Sequence, residues 1–250
     1  MDIFRRSSRG KTSKRNYAAA SKGRLFADFV GSNRSADSEI RWALRDIRNR
    51  SRDLERNNEY FRRYLQLLRV NTIGENGFKV QVRGRNTDNS LDRAGNNIIE
   101  AAWKEFSRLG GCTVDGKMSL IDLCNHVITG VARDGEVFLQ IVKGNYLRHG
   151  IALQVIEPDR VDEEKNELSK DGNSIRMGVE VDKKTRRPVA YHVLTYHKGD
   201  YDYMLPANER KYEVIPASEM MHIYKPDRAG QTRGVPWSSA AITSLKMLHG

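Results

Sequence analysis

Val131-Ala132-Arg133-Asp134-Gly135-Glu136-Val137-Phe138-Leu139-Gln140-Ile141-Val142 is the stretch at which this 250-residue chain changes period. Before Arg133 the apolar residues recur three and four apart, the spacing of a helix with one buried face. After Glu136 a run of β-branched and aromatic residues suits a strand. Gly135 supplies the positive φ that a tight helix-to-strand turn needs. Asp134 and Glu136 beside it read as polar neighbours that keep the turn solvated, not as catalytic acids. Helices dominate on one side of this turn and strands on the other, so the pattern predicts an α+β fold.

Working back towards the N-terminus, the helix that ends at the turn starts near Ser119 and puts Leu120, Cys124, Val127 and Val131 on its buried side, with Cys124 in the core. An earlier helix places Ile98, Ala102, Phe106 and Leu109 on one face with Trp103 beside them, and Gly110-Gly111 end it. Phe78-Lys79-Val80-Gln81-Val82 alternates with period two and reads as a strand. Before it lies a helical hairpin. Its first helix is capped by Asp37 or Ser38, carries Ile40, Leu44 and Ile47, and runs to about Glu55; its second carries Tyr60, Tyr64, Leu67 and Leu68 to a stop at Gly74. Arg41, Arg45, Arg48, Arg52, Arg62, Arg63 and Arg69 read as solvated helix faces, with a nucleic-acid or subunit contact as the sharper alternative. Residues 1–34, with Arg5, Arg6, Arg9, Lys11, Lys14, Arg15, Lys22 and Arg24, read as a flexible basic arm or a plain solvated tail.

Beyond the turn, Ile151–Glu157, Ile175–Val181, Val189–Thr195 and Met220–Tyr224 are further β-prone runs. With Val137–Val142 they predict a mostly antiparallel sheet, and residues 181–189 form a hairpin loop within it. Pro236 suits the first turn of a helix continuing through Ala240, Ile242, Leu245 and Leu248. The expected organisation is a basic arm over 1–34, an α+β domain over 35–235, and the start of a helix over 236–250 that the chain end cuts short.

The formal net charge of +11 points to an acidic partner: nucleic acid, an anionic membrane or an acidic protein. Only Cys112 and Cys124 occur, with no secretory signal and no apolar run near the ~20 residues that span a bilayer, so a soluble chain in a reducing cytosol is expected.

Three motifs resemble active sites and each lacks a needed part. Gly111-Cys112-Thr113-Val114-Asp115-Gly116-Lys117 matches a phosphate-cradling loop up to its lysine, but Met118 replaces the magnesium-binding hydroxyl and the loop leaves a helix, not a buried strand. Pro158-Asp159 followed by Glu163-Glu164-Lys165 echoes the carboxylates and lysine of a metal-dependent nuclease at a spacing too short for adjacent strands. Cys124 and His126 diverge on one helix with Cys112 in a separate turn, and His192 and His197 fall on opposite faces of one strand. The sequence therefore names no catalytic residue, no cofactor-binding residue and no metal ligand, and assigns no DNA-binding residue.

Four segments, taken in order, are similar to the lambda family of bacteriophage portal proteins. The first is Arg52-Asp53-Leu54-Glu55-Arg56-Asn57-Asn58 with Tyr60, running on to Asn71-Thr72-Ile73-Gly74-Glu75-Asn76-Gly77, where the family's closing Gly-x-Gly has one residue more between its glycines. The second is Asp115-Gly116-Lys117-Met118-Ser119 with Arg133-Asp134-Gly135-Glu136-Val137-Phe138, and the third is Gln154-Val155-Ile156-Glu157-Pro158-Asp159-Arg160-Val161. The most specific is His222-Ile223-Tyr224-Lys225-Pro226-Asp227-Arg228-Ala229-Gly230-Gln231-Thr232-Arg233-Gly234-Val235-Pro236-Trp237.

The resemblance implies a portal wing-like body and a structural, non-enzymatic subunit of a head-tail connector. In the family that is a homo-oligomeric ring, typically dodecameric, at one capsid vertex, through which double-stranded DNA is packaged and ejected. Implied partners are further copies of the chain, the terminase large subunit, the major capsid or scaffold protein, head-completion proteins and the passing DNA, with no membrane. The implied location is the virion, reached through the host cytoplasm. Gly250 then reads as a truncation before the pore-lining helices and the clip, by construction or by decay of a prophage gene. A basic DNA-binding module without a channel is the alternative, and it would lose affinity steeply with salt.

Overall fold

A computed structural model describes residues 33–200 and 210–249, with positions 24, 28 and 31 ahead of them. The expected basic arm lies almost wholly outside the described residues. Ser35 onwards forms one compact unit of five helices and two antiparallel sheets, the expected α+β class.

The helical hairpin is α1 (Ala36–Asn57) and α2 (Glu59–Thr72). Ser35, not Asp37 or Ser38, caps α1 by accepting from the Ser38 N–H. Asn58 both ends α1, its N–H reaching the Leu54 carbonyl, and caps α2 through its side chain to the Phe61 N–H. One residue thus satisfies orphan groups of two helix ends, which makes the hairpin turn tight. Helix α3 spans Arg93–Phe106 and α4 spans Leu120–Asp134. Ser119 and Asp122 form a reciprocal capping box at the start of α4, and Gly135 at φ 90° ends it.

Sheet one has the order β2 (Ile151–Ile156), β1 (Glu136–Lys143), β8 (Met220–Tyr224). Sheet two runs β3 (Glu167–Leu168), β4 (Ser174–Arg176), β5 (Val179–Val181), β6 (Pro188–Leu194), β7 (Tyr212–Pro216). The single sheet expected from sequence is therefore two. The expected strand over 175–181 is broken in the middle because Met177 and Gly178 both take positive φ and turn the chain. Residues 181–189 do form the β5–β6 connection. Phe138, Val161, Val179, Tyr191, Val193 and Ile215 make the core that joins the two sheets. Cys112, Leu123, Val131, Val137 and Leu139 make the core between α4 and sheet one. Leu54, Phe61, Leu65 and Ala132 bind the hairpin to α4.

Four sequence expectations are corrected. Phe78–Val82 pairs with no strand among the described residues; the nearby bonds are from Val82 N–H to Glu100 and from Gly84 N–H to Asn96. The apolar side of α3 is not buried, with Ile98 71% and Leu109 67% exposed. On α4 the expected Leu120, Val127 and Val131 do pack on the core, joined by Leu123, while Cys124 is only half-buried and the core cysteine is Cys112. Pro236 does not begin a helix: turns follow it, and the last helix, α5, is Ile242–His249.

The α4–β1 turn is packed against the segment that follows β8. A Cβ on Gly135 would lie 2.4 Å from the Val235 carbonyl carbon, and one on Gly234 would lie 2.1 Å from the Gly135 oxygen. Gly135→Ala adds left-handed strain of about 1–3 kcal/mol to an overpacking cost of similar size. A melting temperature lowered by at least about 5 °C is expected by differential scanning fluorimetry.

Candidate functional site: a buried ionic hub

On α1, Leu44, Arg48, Ser51 and Leu54 lie at the four- and three-residue spacing of one helix face, and all four are buried. Arg48 is 0% exposed, so it is not part of a solvated face. Its Nη2 donates to Glu136 Oε1 at 2.7 Å, its Nη1 to Asp159 Oδ1 at 2.6 Å and its Nε to the Asp134 carbonyl at 3.3 Å. One turn on, Arg52 donates through Nε to Asp134 Oδ1 at 2.7 Å and pairs with Asp159, and its Nη2 lies 3.3 Å from Glu157. Arg133 closes the rim by donating to Glu55 at 2.9 Å and to Asp134 at 2.6 Å.

Glu136 is the centre. It is also 0% exposed, which overturns its reading as a solubilising turn residue. Arg233 Nε donates to both of its oxygens, at 2.8 and 3.0 Å, and Oε2 also accepts from the Gly234 N–H and from His222, each at 2.9 Å. The rest of the Arg233 guanidinium donates to the carbonyls of Pro158, Val161 and Met177. One side chain thus pins the end of β2 and the β4–β5 turn to the α4–β1 junction. Asp37 works likewise at the start of α1, accepting from Thr232 and pairing with Arg176.

Burial by itself would raise the Glu136 carboxyl. Arg233, His222 and Arg48 around it outweigh that and hold it well below the usual carboxylate range. Asp159 is held down in the same way by Arg48 and Arg52. His222 is stacked between Phe138, at 4.2 Å between ring centroids, and Tyr224, at 4.4 Å. Desolvation lowers its pKa, against the pull of Glu136.

The motifs examined in the sequence are placed elsewhere. The 111–117 loop leaves the end of α3 and lies beside β2, with Thr113 bridging Leu153, and Asp115 accepts from the Lys117 N–H. Glu163 and Glu164 do not face Asp159; with Asp162 they surround Lys198, and Arg210 pairs with Asp162 and Glu164. Lys165 instead pairs with Glu167. His126 lines the hollow between α4 and β2, apart from Cys112 in the core. His192 pairs with Glu180. His197, just past β6, brings Nε2 to 3.6 Å from both Glu157 and Asp159, a juxtaposition that sequence spacing did not reveal. Its Nδ1 accepts from the Gly199 N–H at 3.0 Å, which leaves the ring proton on Nε2 facing the two carboxylates. At 3.6 Å that nitrogen makes no hydrogen bond to either carboxylate, and Arg48 and Arg52 already engage Asp159.

The hub holds no nucleophile beside a base, and its charges are matched and turned on one another. Its chemistry is fixation: the hairpin, both sheets and the segment after β8 meet on one carboxylate. Removing one partner from a buried pair costs about 3–5 kcal/mol, whereas replacing the whole set with apolar groups costs less. Glu136→Ala, which leaves Arg233 without an acid, is thus expected to unfold in urea at a markedly lower midpoint than the unsubstituted chain. The pH dependence has one sign. Glu136, depressed in the fold from 4.5, and His222, depressed from 6.5, both make the unfolded chain the better proton binder. The melting temperature is expected to hold above pH 7, fall from about pH 6.5, and fall faster below about pH 4.5; His222→Phe lessens the first decline, to which His126 and His192, also lowered by desolvation, contribute the rest.

Residues 22–250 match the model of the family described as phage portal protein, lambda family. A probable portal protein of Halomonas phage phiHAP-1 is 34% identical over 236 residues, covering 94% of this chain and 45% of the relative. Portal protein B of Escherichia phage lambda is 26% identical over 213 residues, 80% of this chain and 38% of the relative. The portal protein of Escherichia phage N15 is 26% identical over 261 residues, 96% and 47%. The chain spans less than half the length of these curated relatives. No helix among the described residues is long and apolar enough to cross a membrane. The four segments singled out in the sequence supply Arg52, the Asp134-Gly135-Glu136 turn, Asp159, and His222 with Arg233, and the fold brings all four to the hub. With the family match over nine-tenths of its length, the chain belongs to the lambda family of phage portal proteins.

Proposed function

We propose that this chain is the wing-like body of a portal subunit, a structural element of a homo-oligomeric ring through which double-stranded DNA enters and leaves the phage head. The observation that carries the reading is the family match over residues 22–250, supported by a fold whose most elaborate polar cluster serves rigidity. The subunit is not an enzyme. A conduit needs walls that keep their shape while DNA is driven past them, and a network of matched, buried charges supplies stiffness without offering free phosphate-binding groups. Residues 35–235 form the body in this reading, with α5 packed on its hairpin, and residues 1–34 a basic arm. Its partners are further copies of the chain, the terminase large subunit, the capsid or scaffold protein and head-completion proteins. It works at the portal vertex of the virion, after assembly in the host cytoplasm.

Class averages from negative-stain images of the purified chain test this. Rings with a central hole are expected; compact monomers alone would overturn ring formation by this chain.

A further inference from the structure

Asn76-Gly77 is the one place in the sequence where glycine follows asparagine. The pair lies in the turn that carries the chain out of α2 towards residues 78–82, and Asn76 is exposed there. Among the described residues the Asn76 side chain makes no hydrogen bond and the Gly77 N–H has no acceptor. Two other asparagines precede serine, and both are held. The Ser90 N–H that follows Asn89 donates to Asp88 at 3.0 Å, and the Asn173 amide donates to Glu180 at 3.0 Å.

An unbonded side-chain amide next to an unbonded backbone nitrogen can react with it, which is one reason asparagine is a thermally labile residue. Once hydroxide has taken the Gly77 N–H proton, the nitrogen attacks Asn76 Cγ. The new N–C bond closes a five-membered imide, the Cγ–Nδ2 bond breaks, and Nδ2 leaves as ammonia with a proton from water, which restores the hydroxide. Water then opens the imide at either carbonyl and leaves aspartate or isoaspartate at position 76. Nothing is oxidised or reduced, and the only co-reactant is water. Glycine favours the attack because it has no Cβ to obstruct the ring and the widest backbone freedom. Packing also holds this glycine in place: it takes φ 60°, and a Cβ on it would lie 2.8 Å from Ile121 Cγ1 on α4.

We propose that Asn76 is a site of spontaneous deamidation, at which the chain converts one-way to aspartate or isoaspartate as it ages. Either product adds a negative charge beside Glu75, on the rim of the groove that Asn76 lines with Phe78, Val80 and Trp103. Isoaspartate also routes the main chain through the former side chain, which lengthens by one carbon the link between α2 and the segment whose Val82 N–H donates to Glu100. The test is peptide mapping by mass spectrometry after the intact, folded chain has stood in mildly alkaline buffer, with isoaspartate counted by enzymatic methylation. Asn76 is expected to lose its amide at least tenfold faster than Asn89 or Asn173, to yield isoaspartate alongside aspartate, and to be slowed less than tenfold relative to the urea-unfolded chain. Asn76→Gln, a change at an exposed turn position that a melting curve verifies as folded, is expected to abolish the isoaspartate at this peptide, because the longer side chain would have to close a six-membered ring. A smaller advantage over Asn89 and Asn173, a tenfold or greater protection by the fold, or isoaspartate that persists in Asn76→Gln overturns the proposal.

Discussion

Taking Glu136 out of water costs several kcal/mol, and the rest of this structure is arranged around meeting that cost. Its carboxylate accepts from Arg48, Arg233, His222 and the Gly234 N–H, and these donors arrive on three different pieces of chain. Arg48 comes from the first helix, His222 from the edge of sheet one, and Arg233 from the loop that follows. Arg233 in turn satisfies three carbonyls of the second sheet and its approaches. Without the carboxylate the buried Arg233 guanidinium would lie with no acid beside it, and Arg48 would keep only Asp159. Without either arginine the carboxylate would be driven to take a proton.

The apolar cores are modest by comparison and are divided between the sheet-to-sheet contact, the α4-to-sheet contact and the hairpin. Each could form from a few local elements. The polar centre sets their relation to one another, because a guanidinium fork matches a carboxylate in few geometries, whereas apolar surfaces tolerate sliding. Gly135 and Gly234 belong to the same arrangement: the backbone has to approach this closely for the Gly234 N–H to reach Glu136.

Much of the fold was legible in the sequence because its signals were local. The hairpin helices, α4 with its glycine stop, and strands β1, β2, β6 and β8 follow from period, caps and β-branched content. What sequence reading missed depended on distant partners. Charge as a sign of exposure misplaces Arg48 and Glu136, yet Arg48 falls four residues after Leu44 and three before Ser51, inside the buried stripe. An arginine in a core position implies a buried acid, and that was the available signal. Strand β7 was missed because Tyr212–Pro216 alternates weakly and ends in a proline, which an edge strand tolerates. An apolar face on α3 implies a cover, and the described residues provide none for Ile98 and Ile99.

The span of these bonds along the chain also bears on how the molecule is made. Arg48 and Glu136 are 88 residues apart, and Glu136 and Arg233 are 97 apart. At ribosomal rates of about 5–20 residues per second, the arginine that completes the centre follows Glu136 by roughly 5–20 s. Throughout that interval the hairpin, α4 and the first strands have emerged with an acid and an arginine that are not yet fully matched. The carboxylate therefore gains its full set of donors only once the last of these distant segments has been synthesised.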